Sequence, residues 1–185
     1  MGIAEWIEAL NSTDADEVKA AKDHLRAVGA SAIDPLIAAM LSCENRQCWQ
    51  AADVLADLQS DRAFAALSQA LNMAHPLVSQ TAARSLEKYG KRAVQPLIDS
   101  LPNATYMTQL RIVTALETLG DSRAVSPLIA LLATVTVSSL RYTIIQALGK
   151  LGDPRAIDII RPYLDDPDHH VRHRTEQAIA LLTSL

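Results

Sequence analysis

The sequence predicts an all-α chain wound as a right-handed α-α superhelix of about six helix pairs, and three observations predict it. One phrase recurs at a near-constant interval: DRAFAAL (Asp61 to Leu67), KRAVQPLI (Lys91 to Ile98), DSRAVSPLI (Asp121 to Ile129) and DPRAIDII (Asp153 to Ile160), with SAIDPLI (Ser31 to Ile37) as a weaker copy. At its proline slot, Pro35, Ala66, Pro96, Pro127 and Ile159 stand 31, 30, 31 and 32 residues apart, the length of one helix hairpin. A second phrase precedes the first: SLEKYGKRA, ALETLGDSRA and ALGKLGDPRA each run an apolar helical end into Gly90, Gly120 or Gly152, the residue type that stops a helix in the left-handed conformation. Composition agrees. Hydrophobic residues make up 49% but aromatics only 4%, with a single Phe, so the core is built from Ala, Leu, Ile and Val, which suits helix on helix.

Taken in order, the expected pairs are Ile3 to Leu10 with Asp14 to Val28, Ser31 to Leu41 with Gln47 to Leu58, and Asp61 to Leu71 with Pro76 to Tyr89. Arg92 to Leu101 with Thr105 to Leu119, Arg123 to Ala133 with Val137 to Leu151, and Pro154 to Leu164 with His169 to Leu182 complete the six. Asp121 and Asp153, directly after the stop glycines, are placed to accept hydrogen bonds from the amides that open the next helix, and Pro154 suits a first helical position. Within the fifth pair Leu140, Ile144, Ala147, Leu148 and Leu151 recur at spacings of 3 or 4, and Val78, Ala82, Leu86 and Tyr89 repeat the stripe in the third. One hairpin cannot bury such a stripe alone, so neighbouring pairs share a continuous core, and residues 1–185 are expected to form a single repeat domain.

Charge narrows the partners. A net charge of −4 and a pI near 5.7 give no global support to phosphate neutralisation, so a nucleic acid is not an expected partner. The amino terminus MGIAEWIEAL carries Glu5 and Glu8 and has neither a basic start nor a long apolar run; no signal peptide, no membrane span and a cytoplasmic location are expected. Cys43 and Cys48, spaced C-x4-C with no second pair, fall short of a four-ligand zinc site and read as two reduced structural thiols.

The segment LRYTIIQALGKLGDPRAIDIIRPYLDDPDHHVR (Leu140 to Arg172) resembles the HEAT-like repeat of the phycobilisome lyase type. The resemblance covers nearly the whole chain, is strongest from Lys91 onward, and is loosest in the first pair, where VKAAKDHLRAVG keeps the rhythm. It implies a HEAT-like solenoid. Members of that group include bilin lyase subunits that attach or remove chromophores on light-harvesting proteins, phycobilisome-degradation factors and scaffolds. The related deoxyhypusine hydroxylases use His-Glu pairs as iron ligands, and none of His24, His75, His169, His170 or His173 is followed by Glu.

In such stacks the second helix of each pair lines the concave face. Aligned on the Leu four residues before the terminal Gly, those helices present Trp49, Gln50, Asp53 and Asp57, then Gln80, Thr81, Arg84 and Lys88. The later pairs add Leu110, Arg111, Thr114 and Thr118, then Tyr142, Thr143, Gln146 and Lys150, then His173, Arg174 and Gln177. From these the expected partner-binding residues are Trp49, Asp53, Arg84, Lys88, Arg111, Tyr142, Gln146, Lys150, His173 and Arg174, an acidic end and a basic middle interleaved with aromatic groups. Trp, Tyr and Arg are the side chains that most often anchor protein interfaces. Trp49 is equally suited to packing between repeats, and Leu110 is better suited to it.

Other recurrent groups read as structural. Arg62, Arg92, Arg123 and Arg155 sit at one turn position and are expected to brace the stack by pairing with Asp61, Asp121 or Asp153 of neighbouring turns. His173 shares a helix face with either His169 or His170, but no Cys or obligatory carboxylate closes a metal site, so a solvated helix start is expected. The carboxylates from Asp165 to Asp168 are explained by helix N-terminal charge and turn formation. No phosphate loop, nucleophile elbow or H-E-x-x-H motif is present, and no catalytic residue is assigned.

Two functions remain. The first is a non-catalytic protein-binding scaffold without metal or cofactor. The alternative is a bilin lyase subunit or chromophore-handling factor, which needs a tetrapyrrole and a second repeat subunit. The last helix ends in AIALLTSL, with Ala180 and Leu181 apolar at slots other units give to polar groups, so self-association or a partner is expected at this end. Thr175 and Glu176 take core-like slots there.

Overall fold

The computed structural model describes residues 2–42 and 47–184, and among them every regular element is helical. Twelve α-helices run in order: α1 Ile3–Ala9, α2 Ala15–Val28, α3 Ile33–Ser42, α4 Gln47–Asp57, α5 Asp61–Ala70, α6 Pro76–Leu86, α7 Val94–Ser100, α8 Tyr106–Leu119, α9 Val125–Leu132, α10 Ser138–Leu151, α11 Ala156–Ile160 and α12 His169–Thr183. They are the six expected pairs. The chain divides into two compact units, Met1–Ala93 with α1 to α6 and Val94–Leu185 with α7 to α12.

The ends of the helices follow from local chemistry. Asp14, Ser60, Thr105 and Asp168 each cap a helix, their side chains accepting from backbone amides two or three residues on. Asp121 and Asp153 accept from the amides of Arg123 and Arg155, both at 3.0 Å. Gly29, Gly90, Gly120 and Gly152 all have φ between 59° and 73°. Gly120 and Gly152, with ψ 31° and 17°, are the left-handed stop. Gly29 and Gly90, with ψ −127° and −145°, leave the helix through an extended conformation that favours glycine, which corrects the left-handed stop expected at Gly90. Gln59 occupies the same place after α4 with φ 50°, and its side-chain amide donates to the Ala56 carbonyl at 2.6 Å and the Lys88 carbonyl at 3.2 Å. Those two bonds offset the strain a side chain meets in that conformation.

Three of the first helices are shorter than expected. The spans Arg92 to Leu101, Arg123 to Ala133 and Pro154 to Leu164 hold α7, α9 and α11, but part of each is 3-10 helix: Glu87–Ala93 and Leu101–Asn103, Ser122–Ala124, and Arg161–Asp165. Leu101 and Arg161 precede Pro102 and Pro162, and a following proline disfavours the α conformation. Ala15–Ser42 passes a length and apolarity test for a membrane span, yet Gly29 at φ 67° separates α2 from α3 within it.

In the first unit Leu25, Leu36, Met40, Leu55, Leu67 and Leu86 are fully buried; in the second, Leu97, Ile112, Leu116 and Leu128. Each buried Leu contributes roughly 1.5–3 kcal/mol relative to exposure. The stripe of the fifth pair is buried at Leu140, Ile144, Ala147 and Leu148, while Leu151 is only half-buried. One glycine has a packing role that the repeat pattern does not reveal. A Cβ on Gly149 of α10 would fall 2.8 Å from both Cα and Cβ of Ala178 on α12, so the two helices touch through backbone.

Candidate functional site

The exposed faces of the second helices carry the candidate residues, and the structure connects several of them. In the first unit, Lys22 and Arg26 of α2 meet Asp53 and Asp57 of α4 across 31 residues, at 2.8 and 2.6 Å. Lys88 reaches both carboxylates from the far side, 3.0 Å from Asp53 and 2.6 Å from Asp57. Burial alone would raise the Asp53 carboxyl, but hydrogen bonds and charge from Lys22 and Lys88 outweigh it and bring the pKa to about 2. The acidic end expected at Asp53 and Asp57 is thus paired, each carboxylate meeting cations from both sides.

Arg84 is exposed on α6, and within the described residues it makes neither a hydrogen bond nor an ion pair. Trp49 is half-buried, with the Lys22 ammonium 5.7 Å from its ring centroid. Two residues expected to point outward do not. Gln50 is 7% exposed and Thr81 is also 7% exposed, because α4 packs between α2 and α6 and occludes that slot. Thr81 satisfies its hydroxyl on the Leu77 carbonyl at 2.7 Å, whereas Gln50 Oε1 has no partner.

The second unit repeats the arrangement more loosely. Gln146 donates to both oxygens of Glu117 at 3.0 Å, and Lys150 pairs with the same carboxylate. Arg111 is exposed and, within the described residues, has no hydrogen bond or ion pair; Thr114 and Thr118 are exposed, with their hydroxyls turned back onto helix carbonyls. Leu110, Tyr142 and Thr143 are half-buried. His173 and Arg174 both contact Gln177 on α12, at 2.9 and 3.0 Å. Apolar groups crowd the start of this face: Tyr106, Met107 and Val137 are exposed, and Tyr106 bonds Ser139 of the next second helix.

The recurrent arginines pair with aspartates, in two ways. Arg62 reaches Asp34 at 2.7 Å and Arg92 reaches Asp61 at 2.6 Å, each one repeat back. Arg123 and Arg155 instead fold onto Asp121 and Asp153 of their own turns, at 2.9 and 2.6 Å, because two residues of separation lets the guanidinium curl back. The expectation that those two join neighbouring turns is corrected. The rings of His169 and His170 lie 3.8 Å apart, and among the described residues no three His, Cys, Asp or Glu side chains converge as metal ligands. Cys48 is buried, and Cys43 lies outside the described residues.

The sequence pattern missed one strong ion pair. Asp166, expected only to shape a turn, is buried and holds Arg141 of α10 at 2.5 Å, with side-chain exposures of 4% and 16%. Arg141 and Arg172 also donate to carbonyls of the loops that open α10 and α12. An arginine four residues into a second helix, with an aspartate 25 residues later, was the available signal. On α12 Leu181 is 49% exposed, Thr175 is buried on the Val171 carbonyl, and Glu176 is exposed, which corrects its core-like slot.

Residues 94–180 match the HEAT repeat family. Over 146 residues, 68% of this chain, the sequence is 34% identical to the phycocyanobilin lyase subunit alpha of Picosynechococcus sp., and the match spans about half, 54%, of that relative's length. A phycocyanin operon protein Z of Pseudanabaena tenuis is 26% identical over 94% of this chain and 76% of its own. Among solved structures, the complex of CpcE and CpcF of phycocyanin lyase from Nostoc sp. superposes with a TM-score of 0.67 and 29% identity, covering 83% of this chain and 65% of that one. Helical-repeat solenoids recur among the structural neighbours, including a designed armadillo repeat protein that covers 98% of this chain at a TM-score of 0.52. Residues 94–180 are HEAT repeats, and the chain as a whole is a helical-repeat solenoid similar to phycocyanobilin and phycocyanin lyase proteins.

Proposed function

We propose that this protein is a bilin-lyase-type subunit, a helical-repeat chain that holds a phycobiliprotein or a second repeat subunit while a phycobilin is attached or removed. The single observation that carries the reading is the 34% identity to a phycocyanobilin lyase subunit over two thirds of the chain. A lyase complex of two named components among the structural neighbours supports a protein partner. The uncommitted, exposed Arg84 and Arg111 suit an acidic protein surface, with Tyr142 as a flat contact group. This unites the scaffold and lyase readings, since holding a partner is what such a subunit contributes.

The test combines the chain with phycocyanobilin and a chromophore-free phycocyanin subunit, with and without a second lyase-type repeat subunit, and follows visible absorbance. A shifted bilin band, or coloured phycocyanin after denaturing electrophoresis, is the expected result. No spectral change in any combination refutes the reading. Replacing Arg84, Arg111 and Tyr142 together by Ala tests the surface separately: capture of the phycocyanin subunit should weaken at least tenfold, and unchanged capture places the docking face elsewhere.

A further inference from the structure

A cleft of about 620 Å³ opens between α7 and α9, the first helices of the fourth and fifth pairs, and lies wholly within the second unit. Its walls are aliphatic. Ile98 and Pro102 line one side, and Pro127, Ala130 and Leu131 line the other. Pro102 and Ala130 are exposed, and Ile98, Pro127 and Leu131 are half-buried, so this apolar surface is open to solvent. The neutral polar groups of the lining are turned onto the chain itself: Gln109 donates to the Leu101 carbonyl at 3.1 Å, and the Thr134 hydroxyl donates to the Leu131 carbonyl at 3.0 Å. Asp99 is the one charged side chain among the described lining residues.

The fold gives no reason for a carboxylate there. Asp99 is the penultimate residue of α7, where the partial negative charge of the helix end disfavours an anion. At the equivalent slot, three residues after the proline position, the other repeats carry Ala38, Gln69, Ala130 and Pro162, none of them charged. Asp99 is exposed and accepts from Gln95 Nε2 at 2.8 Å, one turn back. Among the described residues it is in no ion pair, and its Oδ2 meets no donor.

We propose that this cleft docks a short amphipathic helix of a protein partner, with aliphatic side chains seated between α7 and α9 and a Lys or Arg beside them paired with Asp99. Pro127, Leu131 and Thr134 recur along one face of α9 over about two turns, the length that two anchors of an incoming helix occupy. The small Ala130 side chain between them lets a partner backbone come close. A carboxylate without a cation, set in an aliphatic wall, selects a basic segment and rejects an acidic one. The cleft belongs to the first helices, whereas Arg84, Arg111 and Tyr142 stand on second helices, so this docking site is independent of the bilin-lyase reading.

The test selects a displayed library of random helical peptides on the wild-type chain. The recovered peptides, fluorescein-labelled, are then titrated by anisotropy with wild type, Asp99→Lys and Ala130→Phe. Recovered sequences should carry paired aliphatic residues with a Lys or Arg one turn away. Affinity should fall by about tenfold or more in Asp99→Lys and in Ala130→Phe, whose ring fills the cleft. Both positions are exposed, and Asp99→Lys suits the helix end, so its Tm should equal or exceed that of wild type while binding is lost. A peptide with its base replaced by Glu should regain affinity for Asp99→Lys, which a purely structural role of Asp99 would not produce. The variant with Arg84, Arg111 and Tyr142 replaced by Ala should bind these peptides as wild type does. Recovery of no peptide, or only of acidic ones, overturns the proposal. So does affinity indifferent to Asp99→Lys and Ala130→Phe, or lost only in the triple variant. None of these results bears on the lyase reading.

Discussion

Gly149→Ala adds a single methyl group to α10 and is expected to destabilise the second unit. In an isolated helix the change would be favourable by about 0.8–1.0 kcal/mol, because Ala is the better helix former. Here the new Cβ falls 2.8 Å from Cα and Cβ of Ala178, and the first of these is backbone that no rotamer change can move. Ordinary carbon contacts lie at about 3.5–4.0 Å, so α10 and α12 must separate where Ile144, Leu148, Val171 and Leu182 are buried. Overpacking costs about 1–3 kcal/mol, and a collision with backbone places this one at about 2–3 kcal/mol, which leaves a net loss of about 1–2 kcal/mol after the propensity gain. For a chain of this size that corresponds to a fall of about 2–8 °C in Tm, read by circular dichroism at 222 nm. Ala178→Gly in the same chain removes one of the two colliding atoms, so the double variant should lose less than the sum of the single changes. A Tm for Gly149→Ala equal to or above wild type would refute the close approach of the two helices.

Three further outcomes follow from the same geometry. Gln50→Leu removes a buried, unpartnered amide oxygen and should raise Tm by about 2–4 °C, about 1 kcal/mol, in the absence of ligand; a fall would mean the amide has a partner in solution. Asp166→Ala leaves the largely buried Arg141 guanidinium with only loop carbonyls and should cost about 2–3 kcal/mol, below the roughly 3–5 of a fully buried pair, measured by urea unfolding; a loss below about 1 kcal/mol would show the pair to be solvated. Asp53 has a folded pKa of about 2 against an ordinary 3.8, so it binds its proton more readily when unfolded. Its contribution is present above pH 4 and is lost as pH falls from about 4 toward 2; Asp53→Asn should flatten the stability profile in that window, and an unchanged profile would count against the Lys22 and Lys88 pairing.

The helices were legible because their signals are local. Glycine stops at Gly90, Gly120 and Gly152 and the spacing of the apolar stripe depend only on neighbours a few residues away. Gln59 broke the stop pattern and was invisible for that reason, since its left-handed backbone is held by hydrogen bonds to Ala56 and to Lys88, 29 residues on. The candidate surface was legible as a set of slots, but not as a set of charges. Asp53 and Lys88 pair across two repeats, and that partnership depends on how adjacent helices are rotated. The same rotation sends Gln50 and Thr81 inward while leaving Arg84 and Lys88 outside. Gly149 gave no signal because close backbone approach leaves no trace in a pattern of apolar side chains.

The ion pairs of the first unit also limit how its repeats can be rearranged. Across three successive repeats the facing charges alternate in sign: Lys22 and Arg26 of α2, then Asp53 and Asp57 of α4, then Lys88 of the 3-10 turn that follows α6. A shortened chain lacking the α4 hairpin would keep the hydrophobic register, since one period is removed, but would set Lys22, Arg26 and Lys88 together without their carboxylates. The middle repeat thus acts as a counter-ion for its neighbours, and copies of this hairpin are not interchangeable parts even though their cores are.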